Sequence, residues 1–249
     1  MPYLRLAVAC VMLLLWSSTT HAQEYPRWFL RQGDMAPAAC AAGYALAGLY
    51  VDTTGGPAYL NAVENYVKFQ ACSFNGSEAF WTAEFGTMVM GSTVTEEYDT
   101  AAVERSVSLL KPLHQYKTQK MSLVLAGEQG AVIPPGAFDP VNIRAVPRPS
   151  WIERPPASPT HLYAVGMAAE YFYESSSWLM AEYTARRELA RSVSTALRAV
   201  QRMSTVGHEV RDETVTCRLA EIRVMERWKD PLKRIHYVLV RMLKPRGAN

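Results

Sequence analysis

The 249-residue chain contains no G-x-S-x-G elbow, no phosphate-binding glycine loop, no H-E-x-x-H and no G-x-G-x-x-G. Its five histidines, His21, His114, His161, His208 and His236, are isolated, with no His or Glu at helical ligand spacing. Its four cysteines, Cys10, Cys40, Cys72 and Cys217, include no pair at zinc-site spacing. The sequence therefore predicts no metal, no cofactor and no catalytic residue, and the chain reads as a non-enzyme. Long apolar runs are scarce too. The one notable run, Leu6 to Trp16, has eleven residues, too few to span a bilayer comfortably.

That run has the form of a secretory signal. Arg5 precedes it, and Thr20-His21-Ala22 follows with small residues at the cleavage positions. Residues 1–22 are expected to be a signal peptide removed after Ala22, an uncleaved anchor being the alternative reading. Export would leave Cys40, Cys72 and Cys217. Cys40 and Cys72 are a candidate disulfide closing a 33-residue loop, worth about 3–4 kcal/mol in loop entropy if unstrained. The alternative is two small buried thiols.

What is present is a repeat. Pro26-Arg27-Trp28-Phe29 and Pro149-Ser150-Trp151-Ile152 lie 123 residues apart. The same offset, without a gap, pairs Arg31 with Arg154, Ala41 with Ala164, Gly43 with Gly166 and Ala45 with Ala168. It also pairs Tyr50 with Tyr173, Ala58 with Ala181 and Ala62 with Ala185. A small unit used twice points toward building and binding more than toward a single cleft.

Charge follows the same division. Residues 1–147 carry 9 Lys/Arg and 12 Asp/Glu, whereas 148–249 carry 17 and 11, for a net of +3. An acidic first unit could meet a basic second one, or both could present ordinary solvated faces. Between them, Pro134, Pro135, Pro140, Pro147 and Pro149 exclude regular helix and interior strand. The expected organisation is a first module at 23–128, a Pro-rich linker at 129–148 and a second module at 149–249.

Each module reads as strand, helix, then strands. In the second, Leu162–Ala168 is a strand, and a serine at 175–177 caps a helix. Its stripe is Trp178, Ala181, Ala185, Leu189, Val193, Leu197 (or Ala196), Val200 and Met203. Strands follow at 213–219, 222–228 and 235–242. In the first module, residues 39–50 form the strand and Pro57 opens a helix about half as long. Residues 78–90 alternate as a strand and 119–125 form the last one. The fold class is α+β: two tandem small modules, each a helix on an antiparallel sheet.

The candidate interface residues are Trp28, Trp151, Arg186, Arg187, Arg191 and Arg198. Each Trp either plugs a small core or serves as a recognition aromatic. The Arg-rich helix face suits a solvated surface or a protein interface better than nucleic acid, which an exported protein would not meet. In the first unit, Tyr66, Phe69, Phe80, Trp81 and Phe85 are the aromatics that could line a ligand pocket.

Residues 149–243 resemble the LPP-twenty lipoprotein family. The resemblance rests on Pro149-Ser150-Trp151-Ile152, Tyr163-Ala164-Val165-Gly166, an Ala/Arg-rich helix, Arg227-Trp228-Lys229-Asp230 and Tyr237-Val238-Leu239-Val240-Arg241-Met242. The family includes the flagellar outer-membrane-ring protein FlgP and is similar to the FlgT N-terminal domain. The resemblance implies a periplasmic or outer-membrane-associated bacterial protein that assembles with itself or with envelope or flagellar partners. It carries over no catalytic residue. The chain departs from the family in having two units and a signal of the ordinary cleaved kind. The alternative is a periplasmic binding protein for a peptidoglycan fragment or another envelope molecule.

Overall fold

Pro26 and Pro149 each introduce a short helical turn that buries a Trp, and from that point the two units run in parallel. The computed structural model describes residues 23–48, 56–83, 86–201 and 211–245, and side chains outside 78–92, 196–201 and 211–215. The expected signal peptide, with Cys10 and His21, lies outside the described residues, as do Tyr50, Phe85, Met203 and His208.

The first unit runs β1 (Glu24–Pro26), α1 (Arg27–Leu30), α2 (Gln32–Met35), β2 (Cys40–Leu46), α3 (Pro57–Gln70) and β3 (Ala71–Ala83). It continues through β4 (Gly86–Ser92), β5 (Thr95–Glu97), α4 (Thr100–Leu109), β6 (Leu110–Lys117) and β7 (Met121–Glu128). After β8 (Pro140–Asn142), the second unit has β9 (His161–Ala169), α5 (Glu174–Gln201), β10 (Arg211–Ala220), β11 (Arg223–Asp230) and β12 (Ile235–Leu243). The fold is α+β.

Local chemistry accounts for the element ends. Pro57 occupies the first turn of α3, where its missing N–H costs nothing. The Asp99 carboxylate accepts the Ala102 N–H at 3.0 Å and caps α4. The helix α5 begins at Glu174, so Ser175–Ser177 lie inside its first turn instead of capping it. Ser177 Oγ instead accepts the Tyr171 N–H at 2.8 Å and pins the approach to the helix. The expected strand at 78–90 is two strands, the end of β3 and β4, paired antiparallel.

The two units form matching three-stranded antiparallel sheets, ordered β2-β7-β6 and β9-β12-β11. The match extends past the repeated letters. The strand β6 bulges between Pro112 and His114, and β11 bulges between Val224 and Glu226. The residues beyond the bulges, His114 and Glu226, face Leu125 and Leu239 at corresponding places on β7 and β12. Each opening Trp bonds to one of them: Trp28 Nε1 donates to His114 Nδ1 at 3.1 Å, and Trp151 Nε1 to Glu226 at 2.9 Å.

The closest helix–sheet approach is also duplicated. A Cβ on Gly43 would sit 2.1 Å from Ala58 O and 2.2 Å from Ala62 N. On Gly166 it would sit 2.1 Å from Ala181 O and 2.2 Å from Ala185 N. Six of the repeated positions are thus one contact made twice, a strand glycine seated between two helix alanines.

The units are fused. The strands β3 and β10, each following its unit's helix, pair antiparallel from Ala71↔Ala220 to Phe80↔Arg211. One hydrophobic core includes Tyr25, Trp28, Phe29 and Tyr44 from the first unit and Trp178, Ala185, Leu239 and Val240 from the second. The segment expected as a linker is part of this body. The strand β8 pairs with β1, the carbonyls of Ala137 and Asp139 accept the Trp28 and Arg27 N–H groups, and Ile143 is buried. Proline excludes regular structure from this stretch but not packing, because its carbonyls remain free to accept.

Candidate functional site

The long helix α5 bears Glu182 and Arg186 one turn apart, and both are buried against the first unit. Arg186 grips Glu96 of β5 with two bonds, Nε–Oε1 at 2.5 Å and Nη2–Oε2 at 2.9 Å. Glu182 Oε1 accepts from Arg227 Nε at 3.0 Å and Nη2 at 2.5 Å. Arg227 Nη1 also donates to Phe29 O at 2.7 Å, and its guanidinium lies over the Phe29 ring, 4.5 Å from the centroid. Glu182 and Arg186 are 3.6 Å apart, and Glu96 continues to Lys68 at 3.9 Å. The result is a buried chain of alternating charge, Lys68–Glu96–Arg186–Glu182–Arg227, that crosses the seam between the units. Burial alone would lower the pKa of Arg186. The carboxylates of Glu96 and Glu182 more than reverse that, and hold it above its ordinary value.

A second network gathers around Glu174 at the start of α5. Its Oε1 accepts from Tyr25 Oη at 2.5 Å, Gln23 Nε2 at 2.5 Å and Lys229 Nζ at 3.1 Å, with His236 Nε2 at 3.6 Å. Lys229 also reaches Glu170 at 3.1 Å, and Glu170 pairs with Arg234 and, at 3.7 Å, with Lys120. Burial would raise the pKa of Glu174, but His236, Lys229 and Tyr25 outweigh it and hold the carboxyl at about 2. Burial lowers the pKa of His236. Both networks are built around ion pairs and each joins the units, while Glu182 Oε2, Arg186 Nη1 and both His236 ring nitrogens are buried without a hydrogen-bond partner.

The sequence-selected residues fall as follows. Trp28 and Trp151 are buried in the core. Arg186 is buried in the seam, so it does not lie on an outer face. Arg187 lies by the Tyr183 ring, 5.9 Å from its centroid, and Arg191 pairs with Glu188 at 3.0 Å on the outside of the helix. The Arg198 side chain lies outside the described residues, as do those of Phe80 and Trp81. Phe69 is buried in the core and Tyr66 packs against it.

The candidate Cys40–Cys72 disulfide is absent. Both are free buried thiols, as is Cys217. Cys40 is on β2 and Cys72 on β3, strands of different sheets. Burial pushes the Cys40 thiol up to about 11 and the Cys72 thiol to about 12, which keeps both protonated and unreactive. Among the described residues no three His, Cys, Asp or Glu groups cluster as metal ligands, and no helix is long and apolar enough to cross a membrane.

Two surface features stand out among the described residues. One is an open cavity of about 340 Å³, lined by Gln23, Glu24, Tyr116, Lys117, Lys120 and Arg144 among others. The other is an apolar tip. Phe172 is 94% exposed and Leu232 is 91% exposed. Phe172 sits in the β9–α5 connection between half-exposed Tyr171 and Tyr173, with its ring against that of Tyr173 at 5.0 Å. Leu232 sits in the β11–β12 turn. The Glu170 N–H bonds to Arg234 O, so both turns lie at the same end of the sheet. Sequence pattern could not flag them, because an aromatic run before a helix reads as core until its burial is known.

No model of a known family, no curated protein and no solved structure matches the chain.

Proposed function

We propose that this chain is an exported, non-enzymatic component of a bacterial cell envelope that works by assembly, as part of a flagellar accessory or outer-membrane-associated structure. The observation that carries this reading is the apolar tip: Phe172 and Leu232, almost wholly exposed, on two turns at one end of the second unit's sheet. Large apolar side chains held out on two adjacent turns favour contact with a partner or an interface. The signal-like leader and the likeness of residues 149–243 to the LPP-twenty family give the reading its compartment and its setting.

A double variant, Phe172→Ser with Leu232→Ser, tests it. Both side chains are outside the core, so the melting temperature should stay the same. Recovery of the chain with the outer-membrane or basal-body fraction should fall about a hundredfold or more, since burying two apolar anchors is worth about 3 kcal/mol or more. Wild-type protein found only as a free periplasmic monomer would overturn the reading.

The basic cavity at Lys117, Lys120 and Arg144 favours a second reading, a binding protein for an anionic envelope fragment. It predicts thermal stabilisation by carboxylate-bearing muropeptides, lost on Arg144→Ala.

A further inference from the structure

The two units treat one edge of their sheets differently. The strands β2 and β9 are equivalent, and each is the outermost strand of its three-stranded sheet. In β2, Ala39 O and Ala47 N–H bond toward β7, so the backbone groups of Ala42 and Tyr44 point outward. The helix α3 covers them. Asn61 Oδ1 accepts the Tyr44 N–H at 3.0 Å, and Asn65 Nδ2 donates to Ala42 O at 2.9 Å. Asn65 is buried in this role, and the first edge is closed by side chains.

In β9, Lys244 N–H bonds to Thr160 O and Glu170 N–H to Arg234 O, so the outward groups belong to Tyr163, Val165 and Met167. The counterparts of Asn61 and Asn65 are Thr184 and Glu188. Thr184 Oγ1 donates back to Met180 O of its own helix at 2.8 Å, and the Glu188 carboxylate pairs with Arg191. Neither reaches the strand. Among the described residues the Val165 carbonyl and the Met167 N–H have no partner, and Met167 is 60% exposed.

We infer that β9 pairs edge to edge with β9 of a second copy of this chain. The strand's own sequence and pairing lack the features that keep edges apart, although α5 seats on Gly166 as α3 does on Gly43. The strand is nine residues long, contains no proline, Lys, Arg, Asp or Glu, and runs against β12 without a bulge. Laid antiparallel on itself about Val165, it sets Tyr163 opposite Met167 of the other copy, apolar against apolar, with no like charges facing. The occupant is thus self-complementary, and the joined sheet reads β11-β12-β9-β9-β12-β11. The chain already uses this mode internally, since the equivalent strands β3 and β10 pair antiparallel. The inference goes beyond the envelope reading and does not draw on the apolar tip.

The test transfers the first unit's own device to the second. Thr184→Asn with Glu188→Asn should close the edge as Asn61 and Asn65 close β2. Met167→Pro removes one outward N–H while leaving every bond to β12 intact. Light scattering on the purified chain at micromolar concentration should give twice the mass of one chain for wild type. Both variants should give the mass of one chain with native circular dichroism, and the dimer should weaken at least about tenfold. A wild type that stays monomeric, or a dimer that survives both variants, overturns the inference. A monomeric wild type that still associates with the envelope through Phe172 and Leu232 would sink this inference while leaving the functional reading in place. A wild-type dimer that ignores the envelope would do the reverse.

Discussion

Gly166 lies so close to Ala185 that a Cβ on the glycine would come within 2.2 Å of the alanine nitrogen. Gly43 and Ala62 stand in the same relation at the same 2.2 Å. The obstruction is helix backbone, which cannot rotate away as a side chain can. Gly166→Ala or Gly43→Ala should therefore push the helix off its sheet and cost about 3 kcal/mol or more. Gly130→Ala is the control. It has open space around it and a φ of +88°, so only backbone strain applies, about 1 kcal/mol. Urea unfolding of the three variants gives the ranking.

Breaking the seam network should be costly. Arg227→Ala would leave Glu182 buried beside Arg186 with half its partners gone, for an expected loss of about 3–5 kcal/mol. Arg191→Ala breaks a half-exposed pair on the same helix and should cost under about 1 kcal/mol. Equal losses in chemical denaturation would show that the buried chain does not hold the units together.

Acid should weaken the protein over two pH ranges. The pKa of His236 is lowered by burial from its ordinary 6.5, so the unfolded chain takes up that proton first. Stability is therefore full above pH 6.5 and begins to fall below it. His114, also lowered by burial, acts in the same direction. Glu174 is held at about 2 against 4.5, so its contribution is complete above 4.5 and is lost as pH falls toward 2. Glu170, held at about 2 chiefly by Arg234 and Lys229 against the opposing effect of burial, adds to the loss over the second range. Melting temperatures followed from pH 8 to pH 3 should fall over both ranges, and His236→Gln should diminish the first fall.

The thiols should be silent in the native state. Cys40, Cys72 and Cys217 are buried, and burial raises the pKa of each. An aromatic disulfide reagent at pH 8 should label none of the three quickly when the chain is folded, and all of them in denaturant. Reductant should leave the melting temperature unchanged. A drop of several degrees on reduction would instead reveal a cross-link.

Much of each unit could be read from the letters. Gly43, Ala58 and Ala62 repeat as Gly166, Ala181 and Ala185 because the contact they make tolerates no larger residue, and such a constraint survives as identity. The bulges at Leu113 and Met225 repeat equally well in space but share no letters, since a bulge is a backbone feature that many side chains accept. The longer helix in one unit and the inserted β4, β5 and α4 in the other also shift the spacing between the copies. The Arg stripe on α5 looked outward because its period is that of an exposed face. The first unit, arriving from far away in sequence, covers Arg186 and supplies Glu96 to meet it.

The sequence by itself determined the α+β class, the duplication and the helix–sheet seats within each unit. All of these rest on local periodicity and on contacts between residues that repeat together. Only the tertiary structure decided that the units share a core, that the Pro-rich stretch is packed, that Cys40 and Cys72 are free thiols on different sheets, and that side chains cap the backbone of β2 but not that of β9. Each of these depends on groups brought together from distant positions, where a residue's neighbours are set by chain topology and its own letter carries no record of them.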